Sequence, residues 1–236
     1  MKITRFTFVV AILASCITCT ITAGQSEAPP RAATRPTGFD RWEKEISAFE
    51  KKDQTAPPPK GCYVFTGSST IARWKTLAQD FPDAPVVNRG FGGSQIVDAT
   101  HFADRIIFPY EPKMVFLRSG GNDIHAGKSA EQVFADYKDF VAKVRTKLPD
   151  AIIVFIGLNP APSRWEERDA NKKLNDLVAA YSKETPRLSY IDCYDISLNA
   201  DGQAREELFV ADRLHFNPDG YKLLVERVRP FVPAAK

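Results

Sequence analysis

Three residue types in this chain could together carry an acyl transfer: a serine hydroxyl, an imidazole and a carboxylate. Ser69 is the second serine of Gly67-Ser68-Ser69-Thr70, directly after the apolar run Tyr63–Thr66. Asp212 and His215 stand three residues apart in Asp212-Arg213-Leu214-His215, close enough for one short loop to present both side chains. A neutral imidazole can take the serine proton, and a carboxylate on the other ring nitrogen holds the tautomer that makes this work. The backbone N–H groups of Ser69 and Gly93 and the side-chain amide of Asn122 could then bind an oxyanion. Gly93 ends Asn88-Arg89-Gly90-Phe91-Gly92-Gly93, and Asn122 lies in Gly120-Gly121-Asn122-Asp123.

Each of these motifs is common when taken singly. A serine after a strand is often a helix N-cap, Gly-Gly a tight turn, and a loop asparagine a partner for its own backbone. Their weight comes from the elements that must position them. Short apolar runs at Tyr63–Thr66, Pro85–Asn88, Met114–Arg118, Ile152–Ile156 and Leu188–Asp192 alternate with helical patterns, as in parallel βαβ units. Phe39, Trp42, Ile46 and Phe49 mark an amphipathic helix stopped by Pro57-Pro58-Pro59. Val133, Phe134, Tyr137, Val141, Val144 and Leu148 mark a second, Leu174, Leu177, Val178 and Tyr181 a third, and Asn217-Pro218 opens the last. Five such strands predict a doubly wound sheet, in which ligands bind at the carboxyl ends of the strands. The four motifs fall at those ends.

In that order the blocks resemble the SGNH, or GDSL-type, esterase and lipase superfamily, whose name collects a Ser, Gly, Asn and His from separate blocks. Here they are Ser69, Gly93, Asn122 and His215. The first block is similar to the family's Gly-Asp-Ser, with Ser68 in place of the Asp. The second is close to the Asn-x-Gly-x-Gly-Gly form of the platelet-activating-factor acetylhydrolase-like branch. The third follows Gly-x-Asn-Asp and the last Asp-x-x-His. The resemblance spans residues 61–231. It implies a three-layer α/β/α sandwich around a five-stranded parallel sheet in the flavodoxin-like order 2-1-3-4-5. It also implies metal-independent, cofactor-free hydrolysis of carboxylic esters, with Ser69 as nucleophile, His215 and Asp212 completing the triad, and Ser69, Gly93 and Asn122 forming the oxyanion hole.

The loops after Asn122 and Asn159 are short and polar, which favours small acyl groups on carbohydrate or small lipid-derived esters over long chains. Arg118, Arg164 and Trp165 near strand ends are candidates for contact with a sugar ring or an anionic group, against a salt bridge for Arg118 and helix-start packing for Trp165. His125 is weighed as a cleft or solvated loop residue, and His101 as structural. Two other readings compete with the esterase: a surface-tethered binding lipoprotein without turnover, and a thioesterase or acyltransferase.

Lys2 and Arg5 followed by the apolar stretch 6–17 read as an export leader over residues 1–23, and the Pro- and Ala-rich residues 24–37 as a flexible tether to a domain at 38–236. Leu13-Ala14-Ser15-Cys16 resembles a lipobox, which would place the protein on a membrane through lipidated Cys16. Ile21-Thr22-Ala23 fits ordinary cleavage instead, giving a periplasmic or extracellular protein. Loss of the leader's two cations takes the formal charge from +3 to +1, no footprint for nucleic acid. Cys62 begins one strand and Cys193 follows another, at opposite edges of a parallel sheet, so two free thiols are expected. No close Cys/His pair suggests a metal site.

Overall fold

The computed structural model describes residues 1–2 and 38–234. The expected leader and tether, with Cys16, lie outside the described residues apart from Met1 and Lys2. Strands β1 (Tyr63–Gly67), β2 (Val86–Gly90), β3 (Met114–Arg118), β4 (Ile152–Ile156) and β5 (Leu188–Ile191) form one parallel sheet in the order β2-β1-β3-β4-β5. The helices in chain order are α1 (Glu43–Thr55), α2 (Ser69–Ala72), α3 (Leu77–Asp80), α4 (Ile96–His101), α5 (Ala103–Ile106), α6 (Gly121–His125), α7 (Ala130–Lys147), α8 (Arg168–Glu184) and α9 (Pro218–Val228).

Successive side chains of a strand point to opposite faces, and both faces here are covered, which is why the central strands β1, β3 and β4 are mostly apolar. Val64, Val115, Leu117, Ile153 and Phe155 pack in one core with Ile46 of α1, Ile96 of α4, Val133 of α7 and Leu174 of α8. Phe65, Phe116, Val154 and Ile156 pack in the other with Ile71 of α2 and Leu224 and Val228 of α9. The result is the expected three-layer sandwich in the expected order. Phe65 and Phe116 stack with ring centroids 4.2 Å apart, joining β1 to β3 beneath the serine turn.

The expected first helix begins as a 3₁₀ turn at Phe39–Trp42 and continues as α1, buried through Trp42 and Ile46. Its acidic face is held by Arg105, which pairs with Glu43 and Glu50, and by the buried Arg89, which pairs with Asp53. The second strand is displaced from the expected Pro85–Asn88. Pro85 has no N–H to give and contributes only its carbonyl, to Tyr63 N at 2.9 Å. At the other end the ladder runs on, pairing Phe65 with Asn88, Thr66 with Arg89 and Gly67 with Gly90. Arg89 and Gly90 therefore join Asn88 in β2, and the loop begins at Phe91. Cys62 and Cys193 are both buried and unbridged, and burial pushes each thiol up to about 11.

Candidate active site

β1 ends in a turn that only glycine can make. Gly67 has φ of 124°, and a Cβ there would lie 2.1 Å from the carbonyl oxygen of Arg118 on the neighbouring strand. The chain thus leaves the sheet abruptly, with Ser68 N donating to Arg118 O at 3.1 Å and Ser68 O accepting from Ile71 and Ala72. The Ser68 hydroxyl makes no capping bond; its stabilising contribution comes from its backbone, not from the side chain as an Asp there would offer. Ser69 becomes the first residue of α2, and its N–H has no carbonyl four residues back to bind. α9 secures this turn from behind, through Tyr221 Oη donating to Thr70 O at 2.8 Å.

Asp212 and His215 share a closed loop. Val210 N donates to His215 O at 2.9 Å, Arg213 adopts a left-handed φ of 56°, and Phe209 packs on Phe216 where the chain re-enters α9. Asn217 caps that helix, accepting from Asp219 and Gly220. Within the loop Asp212 Oδ1 accepts from Leu214 N at 2.9 Å and His215 N at 3.0 Å, leaving Oδ2 to face the imidazole. His215 Nδ1 lies 2.7 Å from Asp212 Oδ2, and its Nε2 lies 2.8 Å from Ser69 Oγ, which is 146 positions away in the chain. Partial burial works to raise the Asp212 carboxyl, but the bonds from the His215 ring and from two backbone N–H groups outweigh it and hold the group down at about 2. A negative charge is thus fixed behind the imidazole. Arg73 adds a looser contact, 3.7 Å from Asp212 Oδ2.

Two further loops meet Ser69. Phe91 to Ser94 closes a turn, with Ser94 N donating to Phe91 O and Gly93 at φ of 87°, a conformation suited to glycine. A Cβ on Gly92 would stand 3.9 Å from that of Ser69, so the turn lies against the serine. Asn122, in the first turn of α6, donates from Nδ2 to Ser94 O at 3.0 Å and accepts at Oδ1 from Arg164 Nη1 at 3.1 Å. Its neighbour Asp123 is buried, accepts from Ile96 N and pairs with Lys128, which ties the Asn122 loop to the glycine loop. Burial raises the Asp123 carboxyl to about 6 against the pull of Lys128.

These loops enclose a small cavity of about 80 Å³, bordered by Ser69, Asn122, Asn159, Arg164, Leu214 and His215 among others. Arg118 also borders it. It is buried, and among the described residues its partners are neutral, the Gly157 carbonyl and Asn159 Oδ1, rather than a carboxylate. Trp165 does not border the cavity and lies under the Arg168 guanidinium, 5.1 Å from ring centroid to Cζ. His125 is solvent-facing and bonds Glu167 at 2.5 Å, and His101 stacks on Phe39. Among the described residues no cluster of His, Cys, Asp and Glu could hold a metal ion, and no helix is long and apolar enough to cross a membrane. Sequence reasoning missed Ser94 and Tyr221, which act through a backbone carbonyl and on one respectively. It also missed Asn175, whose amide bonds both backbone groups of Leu158; an amide beside Leu174 on an otherwise apolar helix face was the available signal.

The chain is similar to platelet-activating factor acetylhydrolase IB subunit alpha1 of Bos taurus, 28% identical over 208 residues that cover 80% of this chain and 84% of the relative. Against subunit alpha2 of Gallus gallus the identity is 25%, covering 82% and 84%. In fold it is similar to a GDSL-like lipase from Bacteroides thetaiotaomicron, with a TM-score of 0.63, 19% identity and coverage of 82% and 96%. A catalytic mutant of an acetylxylan esterase from Geobacillus stearothermophilus superposes with a TM-score of 0.58, 15% identity and coverage of 72% and 94%. The sequence model of the GDSL-like lipase/acylhydrolase family matches residues 58–223, from just before β1 into α9, and on that match the chain belongs to this family.

Proposed function

We propose that the protein is an exported serine esterase that removes short acyl groups, acetyl above all, through an acyl-enzyme. The observation that carries the reading is the unbroken line of hydrogen bonds from Ser69 Oγ through His215 to Asp212, at 2.8 and 2.7 Å. In the first half-reaction Ser69 Oγ attacks the ester carbonyl carbon as its proton passes to His215 Nε2. The former carbonyl oxygen carries the negative charge and takes hydrogen bonds from Ser69 N, Gly93 N and Asn122 Nδ2. Collapse expels the alcohol, which leaves with the proton held on His215. Water then attacks the acyl group by the same route and releases the acid.

The size and polarity of the cavity support a short acyl group. Arg118, Asn159, Arg164 and Glu167 border it beside Leu158, Ala161 and Leu214, and its volume of about 80 Å³ leaves little room for a long chain. Acetyl is also the group named for the acetylhydrolase relatives and for the Geobacillus esterase, and the polar groups of the wall suit an acylated carbohydrate or a small lipid-derived ester as its carrier. A p-nitrophenyl ester series tests this. The expected order is acetate first, with kcat/KM lower by about tenfold or more at octanoate; octanoate as the best substrate would sink the short-acyl reading.

Acid should silence the enzyme through one ionisation. Protonated imidazole cannot accept the Ser69 proton, so kcat/KM should fall in acid. Asp212, held at about 2, stays ionised above about pH 3 and adds no second limb there. A pH profile with two acid limbs above pH 3, or with none, contradicts this assignment. Export rests on the leader alone. The mature N-terminus read by mass spectrometry should be lipidated Cys16 or, after ordinary cleavage, Gly24, and an intact Met1 on secreted material would refute both.

A further inference from the structure

We propose that Arg164 is a positioning residue for the oxyanion donor Asn122, an inference that rests on the esterase reading above. A primary amide can exchange its oxygen and nitrogen by half a turn, and only one of the two orientations offers an N–H to an oxyanion. Two neighbours decide the matter here. The guanidinium of Arg164 can only donate, and its Nη1 lies 3.1 Å from Asn122 Oδ1. The carbonyl of Ser94 can only accept, and it lies 3.0 Å from Asn122 Nδ2. A flipped amide would set N–H against guanidinium and oxygen against oxygen, two repulsions in place of two bonds. With one N–H engaged by Ser94, the second is left for the substrate oxygen, in the cavity that Asn122 shares with Ser69 and His215.

The guanidinium does more than orient. A cation on Oδ1 draws electron density toward the amide oxygen and strengthens Nδ2–H as a donor, an effect that grows as negative charge builds on the substrate oxygen. The same Nη1 also reaches Gly121 O at 3.3 Å, so the arm is fixed at the start of α6. Its base is fixed too. Arg164 sits in the 3₁₀ segment Pro162–Glu167 with non-helical φ and ψ of −129° and 35°, and the preceding Ser163 N donates to Arg213 O of the base loop at 3.0 Å. One segment thus touches both the loop that carries His215 and the amide that faces the oxyanion.

The test is a double-mutant cycle on p-nitrophenyl acetate with Arg164→Met, Asn122→Ala and the double variant, each checked for folding by thermal melting. Arg164→Met should lower kcat about tenfold with KM changed by no more than about twofold, because the bond it supports tightens in the transition state. In the Asn122→Ala background the same change should cost about twofold or less, since the amide it served is gone. Arg164→Lys, which keeps one charged donor, should recover part of kcat, and it supplies the same cycle if the Met variant does not fold. Equal losses of kcat in both backgrounds, or a loss confined to KM, would overturn the proposal and leave Arg164 as an independent substrate contact. A normal kcat in folded Asn122→Ala would remove the oxyanion assignment, and this inference with it.

Discussion

Ser69→Ala should lower kcat by on the order of 10⁴–10⁶ in a folded protein, whereas Ser68→Ala should cost no more than about a few-fold, because its backbone bonds survive the change. The two hydroxyls are adjacent, yet the turn at Gly67 separates their fates. Ser68 lies where the strand breaks, its N–H on Arg118 O and its carbonyl on the first turn of α2. Ser69, one residue on, meets the imidazole at 2.8 Å and lies against the glycine turn. Of the two hydroxyls, it is the Ser69 oxygen that bonds His215, in the cavity that Asn122 also borders. A fluorophosphonate, which reacts with an activated serine, should label Ser69 alone. Peptide mapping that finds the phosphonate on Ser68, or a Ser69→Ala variant with near-normal kcat, would overturn the nucleophile assignment.

What the sequence made legible and what it did not divide along physical lines. The sheet could be read because parallel strands buried on both faces leave continuous apolar runs such as Met114–Leu117, and the helices because their core faces repeat at three and four residues. The Asp212 to His215 spacing could be read because a short loop places both side chains by local geometry alone. Contacts that span the fold left no such trace. Arg164 reaches Asn122 across 42 positions, by a path that the 3₁₀ segment sets, and nothing in Pro162-Ser163-Arg164-Trp165 distinguishes an arginine that faces an amide from one that faces substrate. Arg118 bonds a backbone carbonyl, an acceptor every residue possesses, and the amide oxygen of Asn159 41 positions away, so no carboxylate marked its burial. Asn88 closed the expected strand, and Arg89 and Gly90 were expected in the loop beyond it. Arg89 and Gly90 sit in β2 because the ladder to β1 continues and because Asn88 Oδ1 accepts from Gly90 N while its Nδ2 donates to Ile71 O, which serves the polar side chain at the sheet edge.

Asn122→Ala should cost about 10²–10³ in kcat, with a smaller change in KM, because a donor aimed at the developing oxyanion is worth more once the charge has formed than while the carbonyl is neutral. The amide is well prepared for this. One N–H is held by Ser94 O, Oδ1 is held by Arg164, and the residue stands at the start of α6, which buried Asp123 fastens to Ile96 N. Preorganisation of that kind means little reorganisation at the moment of reaction. A sharper variant is Asn122→Asp, which keeps the shape and inverts the chemistry. A carboxylate there would set an acceptor oxygen against Ser94 O and a negative charge beside the forming oxyanion, so its kcat should fall at least as far as that of Asn122→Ala despite the closer fit. Were Asn122 merely filling space, Asp would be the milder change and Ala the worse. Steady-state kinetics on p-nitrophenyl acetate separate the two orders, and a folded Asn122→Asp enzyme that outperforms Asn122→Ala would refute the role of Asn122 as oxyanion donor.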